Sequence, residues 1–285
     1  MTHRGYEFVD RIKRQVDQGG LEIACFPEVA NELIRHLDSE FVSVNDIARI
    51  VTNEAALAVR VIGMANSAAY RSGGRAITDV RSAITRIGLR ALRGVIFAFA
   101  VMQIRAAQQL RPVQYRIGDV WQRSTVVATF SHLLASELRA EHRQLDPELA
   151  MLGGLMHGVG KIYILAEAAL YPELADDGLL LDDIVRAWHA PAAGKLLEQW
   201  GLGPQVAEAV TGHDEADEAL RSQATLADLL HAAMIFAELR GEPADLARQL
   251  TASRACQRLG LFRLDLPYVL QQIAGDAGSL DRVLL

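Results

Sequence analysis

Residues 43–66 read S-V-N-D-I-A-R-I-V-T-N-E-A-A-L-A-V-R-V-I-G-M-A-N, and their spacing decides the class of fold. Ser43-Val44-Asn45-Asp46 has the form of a capping box, with a hydroxyl placed ahead of a helix whose apolar positions are Val44, Ile47, Ala48, Ile50 and Val51. A second helix, expected from Asn53, turns Leu57, Val61, Ile62 and Met64 to a core, and Gly73-Gly74 then breaks the pattern. Intervals of three and four, with little sustained alternation, are the signature of helix and not of strand. The same period returns over Asp79–Ile87, Ala91–Ala106 and Asp119–Leu138, and in the last of these Val120, Trp121, Val127, Phe130, Leu134 and Leu138 share a broad apolar face. From Asp146-Pro147 onward short helices are punctuated by Pro172, Gly178, Pro191, Gly201 to Pro204, Gly241 and Pro243. No fixed-period repeat and no low-complexity tract interrupts this. The expected fold is all-α, with an N-terminal and a C-terminal helical lobe meeting near residues 107–118 and a boundary at Arg111-Pro112.

Composition narrows the function classes. A chain of 285 residues with 51% hydrophobic and 22% charged residues can bury a large core and excludes extensive disorder. The longest apolar run, Gly94 to Met102, falls well short of the ~20 residues needed to cross a bilayer, so no membrane association is expected. The opening M-T-H-R-G-Y-E-F-V-D-R-I-K-R-Q lacks the apolar run of a secretory signal, which points to the cytoplasm. Cys25 and Cys256 form no C-x-x-C pair and read as two reduced, packed thiols. The net charge of −6 argues against nucleic acid as a bulk partner, yet Arg71, Arg75, Arg81, Arg86, Arg90 and Arg93 crowd a stretch with Asp79 as its one acid. That stretch is the candidate surface for an acidic partner protein, set against the plainer reading of arginines paired with carboxylates elsewhere.

The chemistry-bearing segment is residues 154–161, G-L-M-H-G-V-G-K, with one histidine on an apolar background. No nucleophile elbow, no phosphate-binding P-loop and no cysteine with an adjacent activating histidine occurs.

Several segments carry a family resemblance. Phe26-Pro27-Glu28-Val29-Ala30, then Ala65-Asn66-Ser67-Ala68-Ala69-Tyr70, then Ala83-Ile84-Thr85-Arg86-Ile87-Gly88 resemble the HDOD family, and Trp121-Gln122-Arg123-Ser124, residues 153–161 and residues 194–202 continue the match. The resemblance implies an HDOD domain over 18–240, divided into an N-terminal lobe (18–110) and an HD-like lobe (111–240). A helical extension over 1–17 precedes it and another over 241–285 follows. It implies a bacterial signalling module related to HD phosphohydrolases, and it makes Asn66, Ser67, Tyr70 and Gly88 family-motif structural positions.

In active HD hydrolases an upstream His, a His-Asp pair and a later Asp hold metal ions that activate water against a phosphoester. Matched position by position, these become Arg123, His157, Gly158 and Met234. Two cations roughly 3.5–4 Å apart need carboxylate ligands to offset their repulsion, and glycine has no ligating side chain. No catalytic residue and no cofactor are expected. The alternatives kept open are one zinc, iron or manganese ion on His157, His189, His213 and Asp214, and an anion or nucleotide second messenger on Arg123 and His157. The expected function is a non-catalytic regulatory module acting on a signalling protein. A metal-dependent phosphohydrolase of a nucleotide or cyclic dinucleotide and a nucleic-acid-binding regulator are the alternatives.

Overall fold

The computed structural model describes residues 3–39, 42–67, 70, 75–239 and 241–263, and among them every regular element is helical. The chain opens with α1 (His3–Gln18), α2 (Glu28–Leu37), α3 (Val44–Asn53) and α4 (Ala55–Asn66). The expected cap is present: Ser43 Oγ accepts from the Asp46 N–H at 3.3 Å. The helix expected from Asn53 begins two residues later, because Asn53 still belongs to α3 and Glu54 (φ −107°, ψ 94°) is an extended joint between the two.

Helix α5 (Val80–Ala106) starts on Asp79, whose Oδ1 accepts from the Ser82 N–H at 2.8 Å. It is broken at Gly88, where φ 78° and ψ 168° divide it into helical segments 80–87 and 89–106. That backbone conformation is open to glycine almost alone. A 3₁₀ turn over Gln108–Val113, containing Pro112, leads into α6 (Gln114–Glu137), five residues earlier than the periodicity placed it.

The second half comprises α7 (Pro147–Met156), α8 (Val159–Ala168), the short α9 (Pro172–Asp176), α10 (Gly178–Gln199), α11 (Pro204–Gly212) and α12 (Leu226–Leu239). Asp146 caps α7 by accepting from the Glu148 N–H at 2.9 Å, with Pro147 at the position where a missing N–H costs nothing.

The two lobes share one continuous apolar core. Phe97 of α5 lies 4.6 Å from Trp200 at the end of α10, and Phe26 stacks on the same indole at 5.5 Å. Polar contacts cross the same seam. Arg93, with a side chain only 14% exposed, donates to Leu37 O (3.0 Å), Asp38 Oδ1 (2.6 Å) and Trp200 O (3.1 Å). Segments 80–106 and 147–168 are long and apolar enough to span a bilayer, but 67% and 89% of their apolar windows are buried inside the fold, and His157-Gly158 breaks the second.

The end of the described chain is integral to the fold. Helices α13 (Pro243–Ala252) and α14 (Arg254–Leu259) pack on α12, burying Leu246, Leu250, Cys256 and Leu259. Residues 264–285, part of the expected extension over 241–285, lie outside the described residues. Of the two thiols, Cys256 is packed as expected. Cys25 is exposed, in a positive-φ turn (63°) that directs it away from the core.

Candidate functional site

The stretch 154–161 joins α7 to α8, and its glycines are close-packing positions. A side-chain carbon added at Gly154 would strike the Ala128 backbone of α6, and one at Gly160 would strike the His189 carbonyl of α10. At Gly158 the added carbon would fall 2.6 Å from both Ser124 Oγ and Val120 Cγ1 of α6. The motif therefore brings α7 and α8 into near contact with α6 and α10, with His157 at the centre.

His157 is 2% exposed and its Nδ1 lies 2.7 Å from Gly154 O, which fixes the proton on that nitrogen. Burial pushes its pKa down to about 3, and the neighbouring His213, Lys161 and Arg123 charges act in the same direction. Its ring meets that of His213 edge to face at 5.8 Å. His213 is fully buried, with Nδ1 2.7 Å from Val210 O and a pKa lowered by burial. Its Nε2 lies 3.3 Å from Asp214 Oδ1 without hydrogen-bonding geometry. Asp214 Oδ2 lies 2.9 Å from His189 Nε2, and this hydrogen bond holds the Asp214 carboxyl well below the usual carboxylate range. His189 Nδ1 in turn faces Val185 O and Arg186 O at 3.0 and 3.1 Å.

The four residues considered for a single metal thus form one cluster, His157–His213–Asp214–His189. They do so as a chain of contacts and not as a convergent ligand shell. Among the described residues no three His, Cys, Asp or Glu side chains gather as a metal site.

The other HD positions point the same way. Arg123 turns outward to Glu238 at 3.1 Å with half its side chain exposed, and Met234 is partly buried against the core. At Gly158 the space for a carboxylate is filled by Val120 and Ser124. The residues present do not fit the metal centre that the HD resemblance implies. Arg123 and His157 do not share an accessible pocket either, since His157 is sealed while Arg123 lines a shallow recess with Gln122 and Glu238.

Beside this cluster opens a cleft of about 1080 Å³ between α6, α8 and α10, with Lys161, His189, Thr211 and Asp214 on one wall and Tyr115, Arg116 and Asp182 on another. Arg116 and Asp182 form an ion pair across it. Burial lowers the Lys161 pKa, and the nearby Asp214 charge opposes that shift. The sequence reading gave Lys161 no role, although it sits four residues, one helical turn, after His157; which wall of which cleft it lines depends on how α8 meets α10.

The arginine-rich stretch does not form one free patch. Arg71 lies outside the described residues, and Arg75 and Arg81 are exposed. Arg86 donates to Ala65 O (3.2 Å) and Arg75 O (3.4 Å), and Arg90 pairs with Asp146 at 2.6 Å. Arg93 is the inter-lobe clamp described above and drops out of the surface.

Of the motif residues, Asn66 binds the backbone of Ile77 in both directions (2.8 and 2.9 Å), and Ser67 Oγ donates to Met64 O at 2.8 Å. Tyr70 does not continue the helix of Asn66, which stops at that residue. Its hydroxyl donates to Glu148 Oε2 at 2.7 Å and so ties the first lobe to α7.

Known proteins share this architecture. A structure named for a metal-dependent phosphohydrolase from Shewanella amazonensis SB2B superposes with a TM-score of 0.74 over 100% of both chains at 23% identity. An HDOD domain protein of unknown function from Geobacter sulfurreducens superposes with a TM-score of 0.61 over 98% of both chains at 18% identity. An uncharacterized protein of Treponema pallidum is 22% identical over 204 residues, which cover 67% of this chain. The chain spans 37% of that relative's length. The family model of the HDOD domain matches residues 23–216, two thirds of the sequence, and the chain belongs to the HDOD family.

Proposed function

We propose that this protein is a non-catalytic regulatory module that works by presenting a helical surface to a signalling protein. The observation that carries the reading is Gly158, where the carboxylate of an HD pair would stand: the ligand is lost and α6 side chains occupy its space. A fold that keeps its helices and packs away its metal position retains shape without hydrolytic chemistry. The arginine surface reduces to Arg75 and Arg81, exposed near the start of α5, as the pair for an acidic partner.

Two measurements test this. Elemental mass spectrometry of the protein prepared without metal-affinity tags, on wild type and His157→Ala, is expected to show no stoichiometric zinc, iron or manganese, and phosphodiesterase assays no turnover. Stoichiometric metal in wild type that is lost in the variant, with metal-dependent phosphate release, overturns the reading and establishes the phosphohydrolase. Arg75→Glu together with Arg81→Glu is expected to weaken partner capture by the folded protein, and unchanged capture removes that face.

A second reading, binding of a nucleotide second messenger, draws on the open cleft with Lys161 and Arg116 on its walls. Calorimetric titration with cyclic dinucleotides checks it, and no heat at millimolar ligand rejects it.

A further inference from the structure

The regulatory reading rests on the glycine that stands where an HD pair has its carboxylate, and the packing around Gly158 shows what occupies that space. Ligand loss alone would leave a hole where the carboxylate stood. Here there is none. Gly158 opens α8 with its Cα against α6, and the two nearest atoms to any side chain built there are Ser124 Oγ and Val120 Cγ1, each at 2.6 Å. Ser124 is enclosed, whereas Val120 is partly buried and borders the open cleft, so that its resistance to moving rests on its rotamer. Ser124 is fully buried and its hydroxyl donates to Val120 O at 2.9 Å. Val120 is β-branched on a helix, where one χ1 rotamer dominates.

We propose that α6 has closed the metal pocket, and that Val120 and Ser124 are the side chains that hold it shut, so that metal is excluded by packing as well as by absent ligands. The blocking atoms at Gly158 are side chains, whereas at Gly154 and Gly160 they are main-chain atoms. Of the three, only the Gly158 obstruction can be lifted by shortening residues.

Two comparisons in the full chain test this. The first is thermal unfolding of Gly158→Ala in wild type and in a Val120→Ala, Ser124→Ala background. Closure predicts that the change lowers Tm by roughly 3–10 °C in wild type and by less than half as much in the relieved background. Equal drops overturn the proposal, as does failure to fold in both. Folding only in the relieved background supports it.

The second restores the ligands with Arg123→His, Gly158→Asp and Met234→Asp, and measures manganese and zinc retention by equilibrium dialysis with and without the two relieving changes. Retention is expected only in the relieved protein. Retention without relief, or in neither, overturns the claim that closure excludes the metal. Both comparisons concern altered pockets, so their failure leaves the regulatory reading of the wild type standing on its own assays.

Discussion

His157 shows what a single residue can and cannot reveal in sequence. A lone histidine on an apolar segment reads more often as a hydrogen-bonded core residue than as a ligand, and the structure buries His157 with its Nδ1 at 2.7 Å from the carbonyl of Gly154, one turn back. Its depressed pKa has a thermodynamic sign. An unfolded chain takes up a proton near pH 6.5, whereas the folded chain resists it until about pH 3. The unfolded state therefore binds more protons between these values, so stability is complete above pH 6.5 and is lost progressively as pH falls towards 3. His213 and Asp214, both with lowered pKa, act in the same direction. Tm measured from pH 7 to pH 4 is expected to fall, and more gently in His157→Gln. Tyr70 carries a second residue-level expectation. Tyr70→Phe removes a hydroxyl bonded to the Glu148 carboxylate and should cost about 1.5 kcal/mol in a urea titration. Glu148→Gln, which keeps an acceptor, should cost less. The Tyr70–Glu148 bond spans 78 residues of sequence, and no local spacing announces a partner so distant.

At the level of elements, helical periodicity and capping chemistry carried far. Ser43, Asp79 and Asp146 stand at true helix starts because a short polar side chain before an apolar run satisfies the backbone donors that a helix leaves unpaired. The joints were less legible. Glu54, an ordinary residue, separates α3 from α4, and nothing in its side chain signals an extended conformation. Gly88 was marked as a motif position, and its backbone gives the reason: at φ 78° and ψ 168° it turns the chain between the amphipathic segment 80–87, whose Arg86 reaches Ala65 O of α4, and the largely buried segment 89–106. Gly88→Ala should destabilise by about 2 kcal/mol in denaturant titration, without loss of helix content by circular dichroism, since helical segments lie on both sides of the break.

For the whole molecule, the all-α class followed from the sequence, whereas the contacts that join the expected lobes did not, because Phe26, Phe97 and Trp200 meet from positions far apart in the chain. The C-terminal limit is another case. The family match ends at residue 216, yet Asp228 beyond it is fully buried and receives Arg221 at 3.0 Å and Arg258 at 2.5 Å. A chain cut after residue 240 strips Arg258 from that carboxylate and uncovers α12. Removing one partner of a buried pair costs about 3–5 kcal/mol, so the shortened protein should aggregate or melt at least 10 °C lower by calorimetry. Finally, the indole of Trp200 is set against Phe26 and Phe97 of the opposite lobe and is only 8% exposed, Trp121 is sealed within α6, and the third tryptophan, Trp188 on α10, is partly buried. In a Trp188→Phe background this gives the protein a built-in optical reporter: a partner or ligand that parts the lobes should move the emission maximum to longer wavelength, and adding Trp200→Phe should abolish the shift. Whatever binds across this seam can thus be sought by its effect on emission, without a label.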